Sequence, residues 1–361
     1  MHISIDHNSH TPAYMQIYSA IRSMIVNGAY PFGTRLPSKR ELARDCGISI
    51  VTAEHAYQLL ADEGLCELRA RSGCYVKYTP EHSFPLSDYS QYKTSEHSSS
   101  DYHNDDIPFS AVSSMLRKVI LDKSEKILMK SPNNGCIEMR EAICRYLERN
   151  RNITVSTEQI VIGSGAEYLY GLCIQMLGRD RIVALEKPSY RKIREVYTAN
   201  GASCELLLMD NDGIRTDELK RSKAGILHVT PFNSFPSHIT ASAERRQEYL
   251  NWAKERNAII IEDDYDSEFS LTGTAPQTLY SQTSDENVIY LNTFSKTIAP
   301  SLRAGYMILP AALIPLYQQT VSFYSCTVPM LEQFFLTEWL DSGEFERNIS
   351  RIRNTKVILS P

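Results

Sequence analysis

A series of short apolar runs, each ending in a cluster of polar residues, leaves this chain very few architectures. Residues 159–162 (QIVI) run into Gly163-Ser164-Gly165-Ala166-Glu167, and 181–185 into Glu186-Lys187-Pro188-Ser189-Tyr190. Residues 226–229 run into Thr230-Pro231-Phe232-Asn233, 258–261 into Glu262-Asp263-Asp264-Tyr265-Asp266, and 288–291 into Asn292-Thr293. Runs of this length read as buried strands. Helical patterns lie between and before them, such as Ile137, Met139, Ile143, Tyr146 and Leu147 after Gly135. Strands alternating with helices predict an open, mostly parallel α/β sheet, which binds ligands beyond the carboxyl ends of its strands.

The polar clusters are therefore where chemistry is sought. Lys296 sits among Thr293, Ser295 and Thr297, with Arg303 further on. An amine beside hydroxyls and a guanidinium suits an aldehyde cofactor that carries a phosphate. A solvated lysine after a strand is the plainer reading of that stretch. The Gly163–Ala166 turn offers backbone N–H groups to an anion at a helix start, although such turns also carry glycine for steric reasons. Asp263, after Ile259-Ile260-Ile261, is placed to pair with a protonated ring nitrogen, and Tyr265 with a phenolic oxygen. The rival readings of this acidic cluster are a solvated turn or a metal site; no histidine accompanies the acids, which disfavours metal. Tyr190 presents either a stacking face or a half-buried surface ring.

The first 78 residues follow a different pattern. Ile17, Ile21, Met24 and Ile25 recur at helical spacing up to Asn27-Gly28. Ser38 and Glu41 form a capping-box pair for a helix over 39–46 that ends at Gly47. Ser49 caps the next helix, with Val51, Ala56, Leu59 and Leu60 expected inward. Two short helices joined by a glycine turn make a helix-turn-helix, and residues 66–69 and 74–78 alternate as a hairpin, or wing. Basic and acidic residues nearly balance over this region. Any nucleic-acid affinity must then come from the placement of Arg35, Lys39, Arg40, Arg69 and Arg71.

Residues 79–106 are rich in Ser, Tyr, His, Asp and Glu, a composition that cannot bury enough apolar surface to fold alone, and are read as a flexible linker. The whole chain has 42% hydrophobic and 22% charged residues and a formal net charge of -5, so nothing global advertises nucleic acid. Its 8 cysteines show no C-x-x-C spacing, which argues against a zinc site or disulfide framework and for a reduced, cytoplasmic setting. No run is apolar enough to suggest a membrane span or a signal peptide.

The run GTRLPSKRELA, then GISIVT, then AYQLLADEG resembles the GntR-type winged helix over residues 14–76. The resemblance implies that the helix from Ser49 enters the major groove of a double-stranded DNA operator and the wing lies on the backbone, with Ser38, Ser49 and Thr52 among the contacting residues. Where the family usually has S-R-x-T, this chain has Ser49-Ile50-Val51-Thr52, which removes an arginine contact. From about residue 107, "IIIEDDYDSEF" and "NTFSKTIAPSLRAGYMILP" resemble the large domain of fold-type I aminotransferases. Taken together, the chain is similar to the MocR/GabR-type subfamily of GntR regulators.

That resemblance implies pyridoxal 5'-phosphate as cofactor. Lys296 would form the Schiff base, Asp263 pair with the pyridine nitrogen, and Tyr265 bond the ring hydroxyl. Arg303, Thr293, Gly165 and Ala166 would hold the phosphate, with Tyr190 stacked on the ring. The family's T-P-x-H-Q-x-P-[ST]-G segment is altered here, lacking the His-Gln pair and the final glycine, and Asn233 is the residue left to supply an amide near the ring oxygen.

Such chains normally continue through a small C-terminal domain that carries a carboxylate-gripping arginine. This one ends at Pro361, so a C-terminal truncation and little transaminase turnover are expected. The expected arrangement is a winged helix over 1–78, a linker over 79–106 and an aminotransferase-like unit over 107–361, working as a homodimeric transcription regulator. In it, an amino-compound effector exchanges with Lys296 on the cofactor. Two rivals are an active aminotransferase with a DNA-binding appendage, and a degenerate repressor whose second domain only dimerises.

Overall fold

Ile17, Ile21 and Ile25 fall on one face of α1 (Ala13–Val26) and are buried there. Helix α2 (Lys39–Cys46) begins with the expected capping box, in which Glu41 N–H donates to Ser38 Oγ at 3.2 Å and Ser38 N–H to Glu41 Oε2 at 2.8 Å. It ends at Gly47, whose φ of 67° is the left-handed value that favours glycine. Helix α3 (Ile50–Asp62) is capped by Ser49, which accepts from Thr52 N–H at 3.0 Å. Its buried residues are Ala53, Ala56, Tyr57 and Leu60.

Val51 departs from expectation, since it is exposed rather than inward-facing. The phase set by Ala53, Ala56 and Leu60 puts position 51 on the outer side of the first turn. Strands β1 (Cys66–Arg69) and β2 (Gly73–Val76) pair antiparallel, Cys66 opposite Val76 and Arg69 opposite Gly73. The second wing strand thus ends before the expected Tyr78.

The computed structural model describes residues 3, 5–6, 11–69, 72–79, 109–265, 267–269, 277–299 and 301–359, with side chains as far as residue 353. The expected linker, apart from residue 79, lies outside the described residues. The chain divides into two units, Met1–Ser100 and Asp101–Pro361.

The second unit is built on an eight-stranded sheet. In chain order its strands are β3 (Ile160–Gly163), β4 (Val183–Lys187), β5 (Cys204–Asp210), β6 (Gly213–Ile214), β7 (Ile226–Val229), β8 (Ile259–Asp263), β9 (Val288–Thr293) and β10 (Gly305–Ile308). Their spatial order is β3-β10-β9-β8-β7-β4-β5-β6. The central strands β9, β8, β7, β4 and β5 are parallel, while β10 runs antiparallel to both β3 and β9, and β6 antiparallel to β5. The sheet is thus mixed but mostly parallel. Strands β5, β6 and β10 were not among the five runs read from the sequence.

Alternation along the strands divides the core. Helices α4 (Phe109–Lys123) and α5 (Ile137–Arg151) precede the sheet, and Leu185, Ile226, Ile261 and Ile289 pack with α6 (Ala166–Leu177) and α7 (Arg191–Ala199). Ala184, Leu227, Ile260 and Val288 pack with residues of the helix at Ala243–Arg256. A third cluster joins Ile160, Ile162 and Tyr306 to the helices at Ile137–Arg151 and Met330–Asp341. With both faces covered, function is left to the strand ends. Gly163, Lys187, Val229, Asp263 and Thr293 all close their strands at the same edge, beside the start of β10.

Candidate functional site

At that edge lies a cavity of about 320 Å³. Six of the residues expected to hold a cofactor line it: Ala166, Tyr190, Asp263, Tyr265, Thr293 and Arg303. They come from the start of α6, the loop before α7, the ends of β8 and β9, and the segment before β10.

The remaining expected residues stand around it. A Cβ on Gly165 would lie 3.1 Å from Arg303 Nη2, and its φ of 90° is strained for any other residue, so glycine lets the guanidinium lie against the turn. Lys296 is exposed, and its ammonium sits 4.7 Å from the centroid of the Tyr265 ring. Asn233 lies next to Tyr265. Its Oδ1 lies 2.9 Å from His238 Nδ1, and it meets Tyr265 through its main-chain carbonyl, which accepts from the phenol at 2.9 Å. The loop keeps a left-handed residue where the family has glycine, with His238 at φ 58°.

Asp263 carries the electrostatics of the cavity. It is 3% exposed, and burial pushes its carboxyl up to about 7, against the lowering effect of the Tyr170 hydroxyl that donates to Oδ2. Oδ1 is buried without a hydrogen-bond partner among the described residues. Behind the carboxylate, His228 Nε2 lies 3.8 Å from Oδ2, and His228 Nδ1 lies 2.7 Å from the Tyr197 hydroxyl. Burial holds the imidazole down to about 3, so it is neutral at physiological pH. Tyr170 and His228 were missed in the sequence. His228, a histidine inside the apolar run ILHV, was the available signal.

The other acids of the cluster have separate duties. Glu262 accepts from the backbone N–H groups of Leu279 at 2.8 Å and Tyr280 at 2.9 Å, anchoring a helix start. Asp264 and Glu268 lie 3.3 and 3.0 Å from buried Arg151, with Tyr290 donating to Asp264 at 2.7 Å. These contacts replace the solvated-turn reading, and Asp266 lies outside the described residues.

Next to Ala166 of the lining, Gly165 gives α6 no side-chain cap, which leaves first-turn N–H groups to other acceptors. Arg303 and Lys192 approach Glu167 to 3.9 and 3.4 Å there. The site therefore has a cationic, N–H-rich end and, past two tyrosines, a buried carboxylate with an unused oxygen. That arrangement suits a flat molecule with an anionic group at one end and a protonated nitrogen at the other.

In the N-terminal unit, Arg35, Ser38, Lys39, Arg40 and Arg69 line one groove of about 600 Å³, together with Glu54 and Gln58 of α3. Lys39 pairs with Glu54 at 2.6 Å and Arg69 with Glu67 at 3.0 Å. Arg69 also lies over the Tyr75 ring at 4.7 Å. Ser38, Ser49 and Thr52 are engaged in the helix starts already described, Ser49 Oγ lying 2.7 Å from Thr52 Oγ1. Arg71 lies outside the described residues. Among the described residues no helix is long and apolar enough to cross a membrane.

Comparison with known proteins matches residues 13–76 to the bacterial regulatory proteins of the gntR family and residues 98–357 to the class I and II aminotransferases. The chain is 32% identical over 352 residues to the uncharacterized HTH-type transcriptional regulator YdeL of Bacillus subtilis, covering 95% of this chain and 76% of that one. It is 26% identical over 373 residues to the probable rhizopine catabolism regulatory protein MocR of Rhizobium meliloti, covering 97% and 76%. Among solved structures, the second unit is similar to an archaeal alanine:glyoxylate aminotransferase, with a TM-score of 0.62 and 27% identity. That match covers 70% of this chain and 64% of the enzyme's.

Proposed function

The chain belongs to the MocR/GabR-type subfamily of GntR regulators, and on that premise we propose that it is a DNA-binding transcription regulator whose second unit binds pyridoxal 5'-phosphate and senses that cofactor or an amino compound. The observation that carries the reading is the buried, unused Oδ1 of Asp263 in a cavity whose lining also includes Arg303, which lies against the Gly165 turn.

Asp263 would hold a protonated pyridine nitrogen, Arg303, Thr293 and the Gly165–Ala166 turn would hold the phosphate, and Tyr190 and Tyr265 would contact the ring. When bound, the cofactor supplies an aldehyde that condenses reversibly with primary amines, so Lys296 and an amino-compound effector compete for one carbon. Lys296, whose ammonium lies beside the Tyr265 ring, is the amine we assign to that chemistry; Lys192 also lines the cavity but is paired with Glu167. Whether Lys296 is engaged there would bias its neighbours and, through them, the DNA affinity of a homodimer. The test is titration of the protein with pyridoxal phosphate. A near-visible absorbance band that appears in the wild type and is lost in Lys296→Ala supports the reading, and a band indifferent to that substitution refutes it.

A further inference from the structure

At the tip of α3, this chain places two apolar side chains in solvent. Ile50 is 45% exposed and Val51 74%. Ser49 fixes the backbone there through its cap, so the position of this tip on the helix is set. Both residues are β-branched, a class that favours neither helix starts nor exposure, and neither joins the hydrophobic core of the unit.

Their surroundings suggest what covers them. Ile50, Glu54 and Gln58 follow one another at four-residue spacing on a single face of α3. Glu54 and Gln58 lie in the groove that also holds Arg35, Lys39, Arg40 and Arg69. An apolar tip continuous with a polar ridge, flanked by four basic side chains, is complementary to an anionic duplex whose groove floor carries methyl groups. In the major groove those are the 5-methyl groups of thymine, whereas arginine reads guanine.

Resting on the reading of this unit as an operator-binding winged helix, we infer that Ile50 and Val51 read thymine methyl groups. The operator of this chain then carries A·T pairs at the positions that face this tip. Glu54 and Gln58 read polar base edges further into the groove, and the basic residues hold the backbone.

The experiment uses the full chain and a random-sequence duplex library. Bound duplexes are selected, and the preferred duplex is resynthesised with individual thymines replaced by uracil, which removes only the methyl group. The expected result is a loss of about fourfold for each contacted methyl, the factor that corresponds to burying one methylene. The loss is confined to one or two positions per half-site and absent in Ile50→Ala/Val51→Ala. Ile50→Arg shifts the selected base at that position from thymine to guanine. Uracil substitution that leaves affinity unchanged at every position overturns the inference while operator binding stands. Failure to select any duplex overturns the operator reading itself. Because the decisive change is made in the DNA, a variant that folds poorly does not blunt the test.

Discussion

In the N-terminal unit the basic side chains Lys39 and Arg69 stand in solvent and lean on Glu54 and Glu67, which water and salt screen. In the second unit Arg151, Asp264 and Glu268 are withdrawn from water, and Asp263 keeps an unpaired oxygen at the wall of a cavity. The difference follows from what each surface meets. A duplex brings its own charge to exposed cations and is read by contact. A small ligand needs groups already aimed and desolvated before it arrives.

Variants that remove one partner from each arrangement sharpen this contrast. The largest effect is expected from Arg151→Met, which leaves Asp264 and Glu268 buried without their cation. Loss of one member of a buried ion pair costs about 3–5 kcal/mol. Calorimetry of the full chain should show the transition of the second unit lowered, with that of the winged helix unmoved. A common shift of both transitions would contradict the division into independently stabilised units.

Asp263→Asn should produce an intermediate effect that depends on pH. The folded carboxyl is raised to about 7 by burial, above an unfolded value of about 3.9. The folded state therefore binds that proton more tightly, and Asp263 lowers stability progressively as pH rises from about 4 to about 7. Without ligand, the variant should melt higher than the wild type at pH 8 and at the same temperature near pH 4. A cationic ligand nitrogen reverses the preference, so pyridoxal phosphate should stabilise the wild type at pH 8 and not the variant. Melting curves at both pH values, with and without the ligand, check both signs.

The smallest change is Ser38→Ala. It removes one half of a capping box at an exposed helix start, at a cost of about 1 kcal/mol. It should lower the melting of the winged helix by a few degrees and leave the second unit unchanged.

The sequence made the α/β architecture readable because each central strand is a continuous apolar run that ends in polar residues. It did not show that β10 runs antiparallel between β3 and β9, since apolarity reports burial and not direction. The lining of the cavity was legible where chemistry requires a rare residue type in a fixed place: Asp263, Tyr265 and Arg303, with Lys296 beside Tyr265. Tyr170 and His228 were not, because they serve Asp263 from other elements and carry no local pattern. The contact of Asn233 Oδ1 with His238, a neighbour across its own loop, was likewise not legible. Val51 was misjudged for a related reason: an apolar residue in a helix does not declare its face until its neighbours fix the phase.

The central claim is that occupancy of the cavity and DNA binding are linked through Lys296. The direct measurement is the affinity of the chain for its selected duplex, with and without saturating pyridoxal phosphate, in the wild type and in Lys296→Ala. The account predicts that the cofactor changes the affinity of the wild type and leaves that of Lys296→Ala unchanged. Equal affinities in all four conditions would contradict it, and would reduce the second unit to a scaffold for the winged helix.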